Sequence, residues 1–183
     1  PSPHPLYSVL FNNVVHDGAG IGSAGYHSRI LNNEVYNIPT DGIFIQYAHD
    51  VEIAGNYVHH INQLFHETTD QNVASGDSIQ IVEASNWWVH HNILDRTDTG
   101  NKFCFIATVD FPDMDQYGTF EYNQLRGPLT TGEGGSSIFF GGEPEMVHVR
   151  YNLIEGPSPA AIHQNPDMHF YGNVVDGTSN GVN

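Results

Sequence analysis

Apolar residues recur around an asparagine at seven places along the chain. The pattern is apolar-x-x-Asn-x-apolar, as in Ile30, Asn33 and Val35. The other copies, with apolar residues at the same two flanking places, are centred on Asn13, Asn56, Asn92, Asn123, Asn152 and Asn173. The asparagines are separated by 20, 23, 36, 31, 29 and 21 residues. A minimum near 20 with an irregular excess indicates one repeated structural unit joined by loops of variable length.

A second pattern follows most copies of the first. Apolar residues alternate with other residues along five short segments: 41–45, 77–81, 102–106, 136–140 and 160–164. A period of two predicts a β-strand with one buried face. The corresponding segment after the first asparagine, 19–23, carries the pattern only weakly.

Together the two patterns predict an all-β solenoid of about seven coils that forms a single domain over residues 1–183. One coil cannot bury its apolar face alone, whereas stacked coils can. An asparagine at a fixed bend tolerates the left-handed conformation, and its amide can bond the same amide on the next coil. The alternative is a β-sandwich with Asn-rich turns, but a sandwich does not require such consistent apolar flanks.

Three stretches carry a resemblance to a known family: 31–36 (LNNEVY), 53–58 (IAGNYV) and 89–94 (VHHNIL). They resemble the coil repeat of the right-handed parallel β-helix in the pectate-lyase-like superfamily, and the resemblance covers about residues 8–183. It implies a right-handed parallel β-helix, a fold that serves many functions. It also implies calcium-assisted lyases as one activity, with aspartates on adjacent coils and a Lys or Arg as base.

Charge and cysteine content narrow the classes of function. The chain has 5 Lys and Arg against 21 Asp and Glu, which gives a formal net charge of −16. Nucleic acids and anionic membranes are excluded as partners, because both bind through clustered cations. The acidity suits cations such as calcium. The single cysteine, Cys104, excludes an internal disulfide framework.

The head of the second strand carries the first candidate site, formed by Asp41, Asp77 and Lys102. Two carboxylates roughly 4.8 Å apart on neighbouring coils repel unless a cation lies between them. We therefore expect Asp41 and Asp77 to bind calcium and Lys102 to act as general base, as in the lyases that the sequence resembles. The cation is needed because a bare carboxylate would raise the pKa of the lysine and weaken it as a base. Alternatively, both aspartates start turns and Lys102 pairs with Asp77 at the surface.

The same strand provides the expected substrate-binding row. Its outward positions are predicted to be Phe44, Gln80, Phe105, Phe139 and His163. Exposed aromatic side chains in a row suit the stacking of sugar rings. The alternative is that two long loops, 61–76 and 107–118, fold over the row and bury it.

A second face surrounds the asparagines. Its predicted outward side chains include Arg29, Glu52, Trp88, His90, Glu121, His148, Arg150, His169 and Tyr171. The favoured interpretation is that opposite charges stacked on neighbouring strands stabilise the sheet. The alternative is a metal-free lyase in which Arg150 neutralises a substrate carboxylate. The adjacent histidines 59–60 and 90–91 do not suggest zinc, because consecutive strand residues point to opposite faces.

These observations favour a polysaccharide-active protein, specifically a lyase-like enzyme that cleaves an acidic glycan by cation-assisted β-elimination. The competing class is a non-catalytic carbohydrate-binding or structural module of a larger extracellular protein. Both interpretations predict a polysaccharide partner and a secreted, extracellular or periplasmic location. A terminal coil with no cap in the sequence further predicts end-to-end self-association through the C-terminal coil.

Overall fold

The computed structural model describes residues 7–61, 76–97, 105–108, 117–127, 137–141, 146–156, 160–162 and 167–177. These residues form twenty β-strands, β1 to β20, and no helix. All strand pairs are parallel, and they build three sheets that we name A, B and C. Each of the first six coils supplies one strand to each sheet in the order A, B, C, and the described part of the seventh supplies one strand to A and one to B, so the chain winds as a solenoid.

Sheets A and B each contain seven strands in chain order along the stack. Sheet A consists of β1 (Ser8–Phe11), β4 (Ser28–Leu31), β7 (His49–Ala54), β10 (Ser85–His90), β13 (Tyr117–Glu121), β16 (Met146–Arg150) and β19 (Met168–Tyr171). Sheet B consists of β2 (Val14–His16), β5 (Glu34–Ile38), β8 (Tyr57–Ile61), β11 (Ile93–Asp95), β14 (Gln124–Arg126), β17 (Leu153–Glu155) and β20 (Val174–Asp176).

Sheet C contains six strands and forms the third wall. It consists of β3 (Ile21–Ser23), β6 (Ile43–Gln46), β9 (Ile79–Val82), β12 (Phe105–Thr108), β15 (Ile138–Gly141) and β18 (Ala160–Ile162). The predicted all-β solenoid of seven coils is thus confirmed.

The core fills the space between the three walls. The apolar residues that flank the asparagines of the inner coils point inward, and Ile53, Val58 and Leu94 are fully buried. Burial of each such side chain stabilises the fold by about 1.5–3 kcal/mol. Because neighbouring coils place these residues in register, the apolar flanks form continuous columns along the stack.

The asparagines form the predicted amide ladder. Asn33 Nδ2 donates to Asn56 Oδ1 at 3.0 Å, and Asn56 Nδ2 donates to Asn92 Oδ1 at 2.9 Å. The ladder continues through Asn123, Asn152 and Asn173. Each acceptor oxygen also receives the backbone N–H of the preceding asparagine, so a buried polar row is satisfied from coil to coil.

The sequence suggested that each ladder asparagine adopts the left-handed conformation at a tight bend. In the structure the residue directly before the asparagine adopts it instead. Asn32, His91 and Tyr122 have φ of 53°, 54° and 54°. The chain bends at this preceding residue, whose side chain is not part of the amide ladder. The asparagine that follows places its amide in the buried ladder. Glycine takes the same position at Gly55, where φ is 66°.

The prediction that Phe105 points outward is wrong. Phe105 pairs with Ile79 and Ile138 and is fully buried. Its ring lies 4.3 Å from that of Phe120, centroid to centroid, inside the core. The apolar pattern alone aligns Phe105 with Phe44 and Gln80, whereas in the structure Ile106 occupies that place. A register difference of one residue puts a side chain on the opposite face of its strand.

Candidate functional site

The outer face of sheet C retains part of the predicted substrate-binding row. Phe44 pairs with Gln80, and the register then passes through Ile106 to Phe139. Phe44, Gln80 and Phe139 are half-buried and lie on the outward side of strands whose neighbouring residues are buried. His163 and Lys102 lie outside the described residues.

Asp41 and Asp77 lie side by side at the head of this row. The negative charge of Asp41 is partly compensated, because the backbone N–H of Asp77 donates to Asp41 Oδ1 at 2.9 Å. With its amide nitrogen turned toward Asp41, Gln80 donates to both carboxylate oxygens, at 3.3 and 3.0 Å. The Asp41 carboxylate therefore links two coils through hydrogen bonds, as in the turn alternative.

The described residues do not complete a calcium site. No group of three His, Cys, Asp or Glu side chains among them is arranged to hold a metal ion. The expectation of calcium depended on repulsion between two bare carboxylates, and the hydrogen bonds to Asp41 reduce that repulsion. Asp41 and Asp77 supply four carboxylate oxygens at most, whereas calcium takes about 6–8 ligands.

Arg96 positions the backbone beside this site, and sequence reasoning did not single it out. Its side chain is fully buried, and Nη1 donates to the carbonyl of Gly76 at 2.7 Å. Gly76 immediately precedes Asp77, so the guanidinium fixes the approach to the head of β9. The sequence offers one indication of such a structural role: the chain has only 5 Lys and Arg, and Arg96 directly follows the strand residue Asp95.

The outer face of sheet A carries a longer polar network. Arg29 Nε donates to Glu52 Oε2 at 2.6 Å, and Glu52 Oε1 lies 3.3 Å from His90 Nε2. The His90 ring stacks on the indole of Trp88 with centroids 3.8 Å apart. The predicted outward placement of these side chains on sheet A is confirmed.

Glu121 joins this network to the coils that follow. It accepts from Trp88 Nε1 at 2.9 Å through Oε1 and from Arg150 Nε at 2.5 Å through Oε2. Arg150 Nη1 in turn donates to the hydroxyl of Tyr171 at 2.9 Å. Hydrogen bonds to Tyr171 and then to Glu121 raise the pKa of Arg150, so its guanidinium stays charged. These contacts support the interpretation of stacked opposite charges.

The network leaves aromatic surface exposed. Trp88 is 44% exposed and Tyr171 is 39% exposed. His148 packs beside His169 with ring centroids 4.9 Å apart. Burial, and then the proximity of His169 and Arg150, lower the pKa of His148. The face therefore presents aromatic rings and two paired cations, Arg29 and Arg150, and the lowered pKa favours the neutral form of His148.

A shallow cleft of about 410 Å³ lies where sheet B ends. Its walls include Arg126, Glu155 and Gly156. Arg126 lies 3.5 Å from Asp95 and 3.7 Å from Glu155, so its charge is balanced within the protein.

The chain belongs to the right-handed β-helix family. The family model described as "Right handed beta helix region" matches residues 7–175, nearly the whole described solenoid. Comparison with curated proteins and with solved structures finds no match. Within the described ranges, no helix is long and apolar enough to cross a membrane.

Proposed function

We propose that this β-helix is a polysaccharide-active protein that holds a glycan along the outer face of sheet C and cleaves it by β-elimination. The observation that carries the proposal is the position of the Asp41 carboxylate at the head of a row that also contains Phe44 and Phe139. A few polar groups beside apolar rings are the usual composition of a ligand-binding surface.

The dimensions of the row suit an extended ligand. Phe44 and Phe139 are separated by three coil steps, which correspond to about 14 Å at roughly 4.8 Å per step. One connection from sheet B to sheet C is long, since β9 begins 18 residues after Ile61, the end of β8. Long connections on a rigid scaffold commonly carry function.

The proposed reaction removes the ring proton next to the carboxylate of an acidic sugar. The glycosidic C–O bond then breaks, the leaving oxygen takes a proton, and a carbon–carbon double bond forms in the product. Lys102, the only lysine of the chain, is the proposed base. Calcium stays a prediction to which no step is assigned, since the described residues do not complete a site for it.

An absorbance assay tests the reaction. The protein is incubated with pectate, alginate and glycosaminoglycans, with calcium or with a chelator, and unsaturated product is followed in the ultraviolet. We expect product from one of these acidic glycans, and loss of it in Lys102→Ala but not in Arg126→Ala, a cation on another face. Product from the Lys102→Ala protein at the original rate would overturn the assignment of the base.

A binding measurement tests the surface separately. Affinity electrophoresis in gels that contain each glycan should show retardation that Phe44→Ala and Phe139→Ala reduce and Tyr171→Ala, on sheet A, leaves intact. Equal retardation of all three variants would exclude sheet C as the binding face.

The second candidate is a carbohydrate-binding module without catalysis. The hydrogen bonds that occupy the Asp41 carboxylate favour it, because they give this residue a structural role. Retardation on a glycan gel with no ultraviolet product on any glycan would select this candidate. Either function requires a secreted, extracellular or periplasmic location. End-to-end self-association through the C-terminal coil stays a prediction, because residues 178–183 lie outside the described part.

A further inference from the structure

One short motif occurs twice and is not used by the proposed function. It is aromatic-Val-His-His, at 57–60 (YVHH) and at 88–91 (WVHH). The first copy occupies most of β8 on sheet B, and the second spans the end of β10 on sheet A. In each copy the aromatic residue pairs with a glutamate of the preceding coil, Glu34 with Tyr57 and Glu52 with Trp88.

The second copy forms a chain of three titratable side chains. Nε2 of His90 lies 3.3 Å from Glu52 Oε1, and Nδ1 of His90 lies 2.8 Å from Nδ1 of His91. The ring of His90 is fixed by stacking on Trp88. Consecutive residues of a straight strand could not meet in this way, but His91 has φ of 54°, which turns its side chain back toward His90.

The first copy repeats this arrangement on sheet B. Nε2 of His59 lies 3.2 Å from Glu34 Oε1, and its ring stacks on Tyr57 with centroids 4.2 Å apart. Nδ1 of His59 contacts Nδ1 of His60, and His60 has φ of 52°. Two independent copies with the same contacts indicate that the motif itself encodes the geometry.

The proton positions in the second copy follow from donor and acceptor chemistry. An ionised carboxylate only accepts, so Nε2 of His90 carries the proton that faces Glu52. Burial lowers the pKa of His90, although the hydrogen bond to Glu52 opposes this shift. In neutral His90 the other nitrogen, Nδ1, is an acceptor, and Nδ1 of His91 must donate to it. In the neutral tautomer of His91 that makes this bond, Nε2 carries no proton.

We propose that Glu52, His90 and His91 form a hydrogen-bond relay that presents Nε2 of His91 as a hydrogen-bond acceptor for a hydroxyl group of a bound saccharide. His91 is exposed, and its ring stacks on Tyr122 with centroids 5.2 Å apart. The equivalent position on the preceding coil is Gly55, which has no side chain to cover the opposite face of the His91 ring.

The surroundings of His91 define the class of ligand. Trp88 and Tyr122 offer exposed aromatic surface on either side of the relay, and a sugar ring pairs apolar faces with hydroxyl donors. A saccharide hydroxyl that donates a hydrogen bond to Nε2 of His91 completes the chain, because Nδ1–H of His91 donates to His90 and Nε2–H of His90 donates to Glu52. This site lies at the junction of sheets A and B and does not depend on the proposal for sheet C.

The tautomer of His91 tests the relay directly. Nitrogen-15 NMR of the intact protein at neutral pH should show His90 protonated at Nε2 and His91 protonated at Nδ1. His90→Phe keeps a ring on Trp88 but removes both hydrogen bonds, and in it the Nδ1–H form of His91 should no longer predominate. His91 protonated at Nε2 in the unmodified protein would overturn the proposal.

The reactivity of His91 gives a second readout that a purely structural role would not change. Diethyl pyrocarbonate acylates an unprotonated imidazole nitrogen, with release of ethanol and carbon dioxide, and mass spectrometry locates the modified site. In Glu52→Gln we expect the rate at His91 to fall by about twofold to tenfold, the equivalent of one hydrogen bond. Glu155→Gln, a carboxylate on sheet B, serves as the control. Equal rates at His91 in both variants would overturn the relay.

The saccharide itself is tested with neutral and acidic oligosaccharides added to the labelled protein. Shifts of the His91 ring signals that are weakened in His90→Phe, with signals on sheet C unchanged, support the site. Shifts confined to sheet C would show that the saccharide does not bind at His91. The proposed function on sheet C would then still stand.

Discussion

Gly118 on β13 lies directly opposite Trp87 on β10, and the absence of a side chain at Gly118 makes room for the buried indole. Trp87 is the largest side chain of the core and is 2% exposed. A Cβ at Gly118 would overlap the indole carbons. The two residues therefore form one packing unit across neighbouring coils.

Gly118→Ala should destabilise the protein, because the added methyl group overpacks the core beside Trp87. We expect the free energy of unfolding to fall by about 1–3 kcal/mol, measured by urea denaturation. The control is Gly22→Ala on β3, where an added Cβ meets no atom within 4 Å. A loss in Gly118→Ala no larger than in the control would contradict this packing.

Asn92→Ala should break the amide ladder at its centre. The Oδ1 atom of Asn92 accepts from the backbone N–H and the amide of Asn56, both at 2.9 Å, and its Nδ2 donates to the carbonyl of Ile53. Leaving these buried groups unpaired costs about 2–5 kcal/mol in total. The exposed Asn13 provides the comparison, and Asn13→Ala should cost under about 1 kcal/mol. Thermal unfolding that gives equal losses would show that the inner ladder adds nothing.

Glu121→Ala should cost more than the loss of an ordinary surface carboxylate. The side chain of Glu121 is only 7% exposed and accepts hydrogen bonds from both Trp88 and Arg150. We expect a loss of about 1–3 kcal/mol, because a buried charge-assisted network is left incomplete. In Glu155→Ala, where the side chain is 41% exposed, we expect about 0–1 kcal/mol. Equal chemical denaturation midpoints would refute the special role of Glu121.

His148 should make the protein less stable in mild acid. Its pKa in the folded protein is lowered from 6.5 by burial and by nearby His169 and Arg150, while Glu121 acts in the opposite direction. Above pH 6.5 both folded and unfolded states are neutral at this residue, so no stability is lost there. Below that value the unfolded state binds the proton more readily, and stability falls as the pH drops toward the folded pKa.

His148→Gln isolates this effect. Urea midpoints measured between pH 7.5 and about 5 should decline less steeply in the variant than in the unmodified protein. An identical slope in the two proteins would mean that His148 does not titrate with a lowered pKa.

The histidine pairs show where reasoning from strand geometry fails. An alternating strand places consecutive residues on opposite faces, and this rule is the sequence argument against a zinc ion shared by His90 and His91. The left-handed conformation of His91 brings the two rings together. Two features of the sequence accompany the left-handed conformation of His91: it directly precedes a ladder asparagine, and it ends a Val-His-His segment that recurs at 58–60, where His60 is also left-handed.

Phe105 shows the corresponding limit for register. The sequence pattern identified β12 as a strand but placed its outward side one residue away from the observed one. Along an irregular chain the loop lengths do not specify which residue pairs with which, whereas the stacked coils on both sides of β12 do, since Ile79 and Ile138 are both buried. The predicted binding row therefore lost Phe105 while Phe44 and Phe139 kept their outward positions.

By itself, the sequence determined the solenoid, its seven coils, the inward apolar columns and the amide ladder. Each of these follows from local periodicity and from a short-range pattern that every coil repeats. Only the tertiary structure decided the contacts made between coils, such as the hydrogen bond from Asp77 to Asp41, the burial of Arg96 and the pairing of Gly118 with Trp87. These contacts depend on which residues the stacked coils place opposite each other. Because the repeats are separated by a variable 20 to 36 residues, the pairing is fixed by the packing of the core and not by the spacing along the chain.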